Sequence, residues 1–226
     1  MLKLISSMAT RQVLAELAAL WQQDSDVKVS IESVGGVDAA RRVQAGEAFD
    51  GVVLDSGAIE KLMVSGQALA GSRCDLVRSS VAVAVKARTP VPDISTESAL
   101  RSAIEAAPTI GYSTGPSGVA LIKLFERWGI LAALQPRIVQ APAGVPVGML
   151  VARDEVALGF QQLSELMHLE GICVVGTLPE AVGIATVFSA ATCTASTQRD
   201  ALARLLAFMA SSEVAHIKLR HGMQPV

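Results

Sequence analysis

A chain of 226 residues is long enough to bury a substantial core, either as one large domain or as two lobes of about a hundred residues each. Its net charge of −2 supplies no basic field, which removes bulk support for nucleic-acid or anionic-membrane binding but leaves room for a small anion held locally. The 51% hydrophobic fraction is dominated by Ala, Val and Leu, and polar residues interrupt every run of about twenty, so no membrane-spanning helix is expected.

The first elements are strand, turn and helix units. Residues 2–5 form an apolar strand, Ser6 and Ser7 make a capping pair, and residues 9–23 read as a helix with Val13, Leu14, Leu17, Leu20 and Trp21 on its buried stripe. Residues 27–33 alternate Val27, Val29 and Ile31 with polar neighbours, reach Gly35 and Gly36, and lead into a helix over 38–45 stopped by Gly46. A third apolar strand, 51–54, is followed by Asp55, Ser56, Gly57 and a helix over 58–65 with Gly66 as its stop. Arg78, Ser79 and Ser80 then lead into 81–85, a β-branched and Ala run long enough to pass between two lobes.

Beyond a Pro-bearing loop, residues 95–106 read as a helix with Ser95 or Thr96 as its cap. Residues 108–130 are a buried strand, a hydroxyl-rich turn and a helix that runs to a stop at Gly129. In that turn Ser113, Thr114 and Ser117 supply hydroxyls, Gly115 and Gly118 allow close backbone approach, and Pro116 stands where a missing N–H costs nothing. Residues 137–140 form a strand ending in the turn 141–148, where Gly144, Pro146, Val147 and Gly148 open a helix over 149–153. A strand over 156–160 passes into a helix starting at Gln161 and Gln162, and another strand covers 172–175. Residues 184–188 mirror 81–85 as a second crossover, and helices over 197–210 and 213–220 close the chain. The expected lobes are 1–79 plus 188–226, and 80–187.

Alternating strands and helices specify an α/β protein with mostly parallel sheets, in which ligands bind beyond the carboxyl ends of the strands. Four turns at such ends are rich in Ser, Gly and Pro: Ser6–Ser7, Gly35–Gly36, 113–118 and 144–148. Two fall in each lobe. Helix N-termini present unpaired N–H groups and a partial positive charge, so turns converging on one cleft between lobes would replace the hydration shell of an anion. Arg78 stands at the mouth of the first crossover, either as a bidentate carboxylate contact or as a surface arginine in an ion pair. Gln161 and Gln162 either donate amide N–H groups to the ligand or cap a helix at the surface.

The order of elements, the two crossovers, the Ser6–Ser7 turn, Ala45-Gly46 before Phe49-Asp50-Gly51-Val52-Val53, and Ala157-Leu158-Gly159-Phe160 resemble the molybdate-binding solute receptors of bacterial ABC transporters over essentially the whole chain. The resemblance implies the two-lobed type 2 periplasmic-binding-protein fold, with crossing strands, a ligand cleft between the lobes, hinge closure and an ABC-transporter permease as partner. Tyr112 to Gly118, Gly144 to Gly148, and Gly159 to Gln162 look like a divergent branch that includes aconitate isomerase. Where molybdate receptors carry serine this chain has Gly35–Gly36, where they carry a tyrosine hydroxyl it has Gln161, and Ala9 replaces a first-turn serine. Loss of those hydroxyls, with Arg78 and amide groups at hand, favours a planar organic carboxylate over molybdate.

Three functions are compatible with this pattern. The first is a solute-binding protein that captures a small anion without chemistry, through Ser6, Ser7, Gly35, Gly36, Arg78, Ser79, Ser113, Thr114, Gly115, Ser117, Gly118, Pro146, Val147 and Gln161. The second is an isomerase shifting a proton on an unsaturated tricarboxylate; its base is not identifiable, because Glu165, Asp38 and Asp55 read as caps or solvated carboxylates. The third is a ligand-sensing regulatory domain, though no helix-turn-helix is present and the last helices are not basic. No cofactor or metal is expected: His168, His216 and His221 lack a third ligand, and Cys74, Cys173 and Cys193 have no paired spacing and read as reduced structural thiols. Without an apolar leader the chain is expected in the cytoplasm, or in the periplasm if a leader has been removed.

Overall fold

The computed structural model describes residues 1–226. In chain order the elements are β1 (Leu2–Ser7), α1 (Arg11–Trp21), β2 (Val29–Val34), α2 (Gly36–Gln44), β3 (Gly51–Asp55), α3 (Ser56–Val64), β4 (Cys74–Lys86), α4 (Glu97–Ala106), β5 (Ile110–Tyr112) and α5 (Pro116–Arg127). They continue with α6 (Leu131–Leu134), β6 (Ile138–Gln140), α7 (Val147–Ala152), β7 (Leu158–Gln162), α8 (Leu163–Leu166), β8 (Ile172–Thr177), β9 (Ala185–Thr192), α9 (Arg199–Ala210), α10 (Ala215–Arg220) and β10 (Met223–Pro225). The chain divides into two compact units, Met1–Ser79 with Thr186–Val226, and Ser80–Ala185.

In the first unit β2, β1 and β3 lie side by side and parallel, and β9 runs antiparallel against β3. Parallel strands with helices on both faces bury both sets of side chains, and the period of two sorts them. Leu4 of β1 and Val53 of β3 face one cluster with Leu14, Leu17, Leu202 and Leu205, whereas Ile5, Val52 and Leu54 face another with Ile59 and Leu62. Each fully buried Leu or Ile contributes roughly 1.5–3 kcal/mol, so these two layers dominate the unit's stability. Strand β10, which no periodicity in the sequence signals, pairs antiparallel with the first part of β4, setting Gln224 opposite Arg78.

In the second unit β6, β5 and β7 are parallel, while β4 runs antiparallel to both β7 and β8. Val81, Val83 and Val85 of β4 pack with Leu100, Ile104, Leu121 and Phe125, and the alternate residues Ala82 and Ala84 pack with Leu166. Phe125 meets Phe160 edge to face at 6.3 Å between ring centres.

Local signals place most boundaries. Asp55 caps α3 by accepting from the Ala58 N–H at 3.0 Å, and Thr96 caps α4 by accepting from Ala99 at 3.1 Å. Gly46, Gly66 and Gly129 follow their helices with φ of 80°, 77° and 69°, the left-handed stop expected of them. Two expectations change: the helix over 9–23 opens as a 3-10 turn, Met8–Thr10, before α1, and the run at 81–85 is the second half of a 13-residue strand. No helix is long and apolar enough to cross a membrane.

Candidate functional site

In the first unit, register brings the predicted turns to one sheet edge. Ser7 pairs with Val34 and Ser6 with Val53, so β1, β2 and β3 finish level and the segments after them share that edge. Ser6 is fully buried, with its Oγ 2.8 Å from Ser33 Oγ. Ser7 is half-buried and caps the 3-10 turn by accepting from the Ala9 N–H at 3.3 Å. Gly35 precedes α2 in extended conformation, and a methyl group placed on Gly36 would lie 3.8 Å from Ser7 Oγ. The first-turn N–H groups of α2 therefore open beside the Ser7 hydroxyl, the kind of paired donor set that suits an anionic oxygen. Asp55 is the α3 cap, as expected of it, and Asp38 is an exposed partner of Arg41 at 2.7 Å.

Arg78 is exposed on β4 without an ion pair, and Ser79 beside it is fully buried. The acid beneath this stretch is Asp75: Arg73 Nε donates to it at 2.7 Å and Ser189 Oγ at 2.6 Å, and the Arg73 guanidinium holds its carboxyl below the usual range. Arg42 is occupied by Glu32 and Glu47 and stacks over Phe49, so it acts in surface ion pairing.

The second unit builds its edge in the same way. Tyr112 pairs with both Gln140 and Phe160, which sets the ends of β5 and β6 level while β7 runs on two residues to Gln162, so 113–118, 141–147 and 163–165 all follow the carboxyl ends of these strands. Ser113 Oγ and Ser117 Oγ are 3.0 Å apart at the opening of α5, Thr114 is exposed, and Gly115 precedes the Pro116 that begins the helix. Gly118 has a steric task rather than a donor's one. Its N–H is taken by the Gly115 carbonyl at 3.0 Å, and a Cβ there would lie 1.8 Å from the Ser113 carbonyl oxygen. Gly148 likewise serves packing, since a Cβ would meet Leu169 at 2.5 Å.

Gln161 is buried within β7 rather than capping a helix at the surface, and its Oε1 accepts the Val147 N–H at 2.7 Å. The leading amide of α7, after Pro146, is thereby occupied by a side chain of the protein itself. With Oε1 committed, the Gln161 amide N–H is left to donate to Glu165, the hydrogen bond that favours that residue's ionised form. Burial acts more strongly in the opposite sense and pushes the Glu165 carboxyl up to about 7. The expectation of a cap or a solvated carboxylate at Glu165 is thus corrected: the residue sits third in α8, half-buried, and no cation contributes to its state. Its signal in the sequence was faint, a Glu four positions beyond Gln161 just after a buried strand.

Other chemical candidates lie elsewhere. The three cysteines are free, and burial pushes the Cys193 thiol up to about 12, an inert state. His221 Nε2 meets Glu16 at 2.7 Å and His216 meets the Glu213 carbonyl at 3.1 Å, both in the first unit and on or beside α10. A shallow depression of about 750 Å³ at the start of α9, lined by Ser196, Gln198, Arg199 and Arg204 among others, shares no residue with the predicted turns.

Two α/β units, each presenting hydroxyls and helix openings at the carboxyl edge of a largely parallel sheet, define a protein of the solute-binding class with the periplasmic-binding fold. Residues 2–224 match the bacterial extracellular solute-binding protein family, and the chain belongs to it. An aconitate isomerase from a Pseudomonas species is 36% identical over 231 residues, covering 100% of this chain and 88% of that protein. Among solved structures, the periplasmic molybdate-binding protein of Azotobacter vinelandii superposes with a TM-score of 0.81 at 21% identity, over 99% and 98% of the two chains. The substrate-binding domain of a molybdenum ABC transporter from Clostridium difficile gives 0.77 at 16% identity, over 100% and 98%. These structural likenesses establish the fold.

Proposed function

We propose that the protein binds a small organic polycarboxylate, an unsaturated tricarboxylate such as aconitate being the preferred guest. The observation that carries this reading is the Ser113–Ser117 hydroxyl pair at the opening of α5, on the same strand-end edge as a carboxyl group. Hydroxyls and helix-opening amides solvate carboxylate oxygens, and a protonated carboxyl can donate to one as well. The full-length relationship to an aconitate isomerase supports the tricarboxylate class. If the protein delivers its guest to a transporter, the receiving partner is an ABC-type permease.

A second reading, in which the bound acid is also isomerised by a proton shift, is favoured by Glu165. A carboxyl raised to about 7 exchanges a proton readily at neutral pH, which simple capture does not need. Calorimetric titration of the purified protein with trans-aconitate, cis-aconitate, citrate, molybdate and sulfate tests the binding reading. The tricarboxylates are expected to bind at least about tenfold more tightly than either inorganic oxyanion, a margin of ~1.4 kcal/mol. Preferential binding of molybdate or sulfate overturns it.

A further inference from the structure

We propose that Glu165 is the group that carries the migrating proton of an unsaturated carboxylic acid, with Gln161 as its positioning residue; this rests on the binding reading above.

Phe160 is level with Tyr112 and β7 runs two residues further, so α8 with Glu165 begins beyond the same carboxyl end of the sheet as the Ser113–Ser117 turn. Gln161 cannot turn its amide round without losing the buried Val147 N–H, so its nitrogen is committed to the Glu165 carboxyl. The result is a carboxyl of fixed aim on a residue that is half-buried as a whole.

A purely structural role accounts poorly for this arrangement. Glu16, Glu32, Glu47 and Asp75 are each held below the ordinary carboxylate range by an Arg or His partner. Glu165 has no such partner, and burial holds it near neutrality instead. The elements packed against α8 bring little charge to it. β7 and α7 carry no ionisable residue, β8 carries Cys173, and β4 in this unit carries Lys86, which pairs with Asp154 at 2.9 Å. Beyond α8 itself, His168 and Glu170 lie within about one further turn of chain.

The step balances without cofactor or oxidant. Ionised Glu165 takes a proton from the methylene carbon of a CH2–C=CH unit flanked by carboxylates. The electron pair of the broken C–H bond moves into a new C=C bond, and the former double bond's pair spreads as dienolate charge onto the distal carboxylate, where hydroxyl and amide donors stabilise it. Protonated Glu165, its proton now open to exchange with solvent, then protonates the far carbon, which becomes the new methylene, and the double bond has moved by one carbon. A carboxyl whose two forms are both populated near neutral pH serves as base and then as acid.

The experiment is a proton NMR time course of the full chain with trans-aconitate in D2O, run beside calorimetric titration with the same acid. The wild type is expected to show isomerisation with solvent deuterium entering the methylene, at a rate that rises with pH and levels off above about 7. Glu165→Gln is expected to bind within about threefold of wild type and to be about 100-fold slower or worse. Gln161→Ala removes the donor that favours the carboxylate, so its rate profile should move to higher pH; His168→Asn should leave the profile in place. Wild-type exchange undiminished in Glu165→Gln, or a wild-type rate flat from about pH 5 to about pH 9, overturns the assignment. Binding without isomerisation or exchange overturns it too while leaving the binding reading intact, whereas absence of binding removes both.

Discussion

Replacing Glu165 by Gln should make the second unit more stable, and only on the alkaline side. The folded carboxyl titrates near 7 against an ordinary value of 4.5, because burial penalises the charge more than the Gln161 hydrogen bond relieves it. Below about 4.5 both states of the wild type hold the proton and Glu165 contributes no penalty. As pH rises from there to about 7 the unfolded chain loses the proton while the folded chain keeps it, so stability falls; above about 7 the penalty is complete and constant. At ~1.36 kcal/mol per pH unit, the full effect is about 3 kcal/mol. Gln keeps the shape and can accept from Gln161 but has no proton to lose. Urea unfolding of wild type and Glu165→Gln between about pH 4 and about pH 8, followed by Trp128 fluorescence in a Trp21→Phe background, isolates the unit that holds both residues. The difference should grow from near zero at the acid end to a few kcal/mol at the alkaline end. A gap that does not change with pH refutes the reasoning.

Three further outcomes are expected. Gly118→Ala sets a carbon 1.8 Å from the Ser113 carbonyl and should cost about 3 kcal/mol or more of urea-unfolding stability, while Gly115→Ala, whose nearest neighbour is 4.0 Å away, should stay within about 0.5 kcal/mol and report on affinity alone. If the Arg78 guanidinium contacts the guest directly, Arg78→Ala should weaken carboxylate binding by about 1–3 kcal/mol in calorimetry; an unchanged affinity removes Arg78 from the site. Lys218 is fully buried with no hydrogen-bond partner for its Nζ, and burial depresses its pKa, so Lys218→Met should raise the melting temperature at neutral pH and gain less as pH climbs toward 10.5.

The periodic parts of this fold were plain in the sequence. Val52, Val53 and Leu54 announce a strand buried on both faces, and Asp55 and Thr96 announce helices because their oxygens satisfy local N–H groups. The first half of β4 was hidden, since Asp75 and Arg78 break its apolar pattern and its strand character comes from pairing with β9 and β10. The turn chemistry at Ser7, Gly36 and 113–118 was likewise local and legible. Gln161 and Glu165 were not, because their states depend on Val147, fourteen residues before Gln161, and on burial by packing, neither of which leaves a spacing to read. The sequence therefore pointed to donor-rich turns while misjudging the acid that burial, rather than a cation, shifts.

Gly36 gives the first unit a capacity for change. Ordinary van der Waals room surrounds the point where a side chain would begin, with Leu54 and Ser7 both 3.8 Å away. A serine there would add a second hydroxyl beside Ser7 at little expense to folding, whereas the same exchange at Gly118 would collide with the main chain. Guest preference in this scaffold can thus drift by single substitutions at one helix opening while the second unit's turn stays fixed, which makes Gly36→Ser the natural first step in redirecting the protein toward tetrahedral oxyanions.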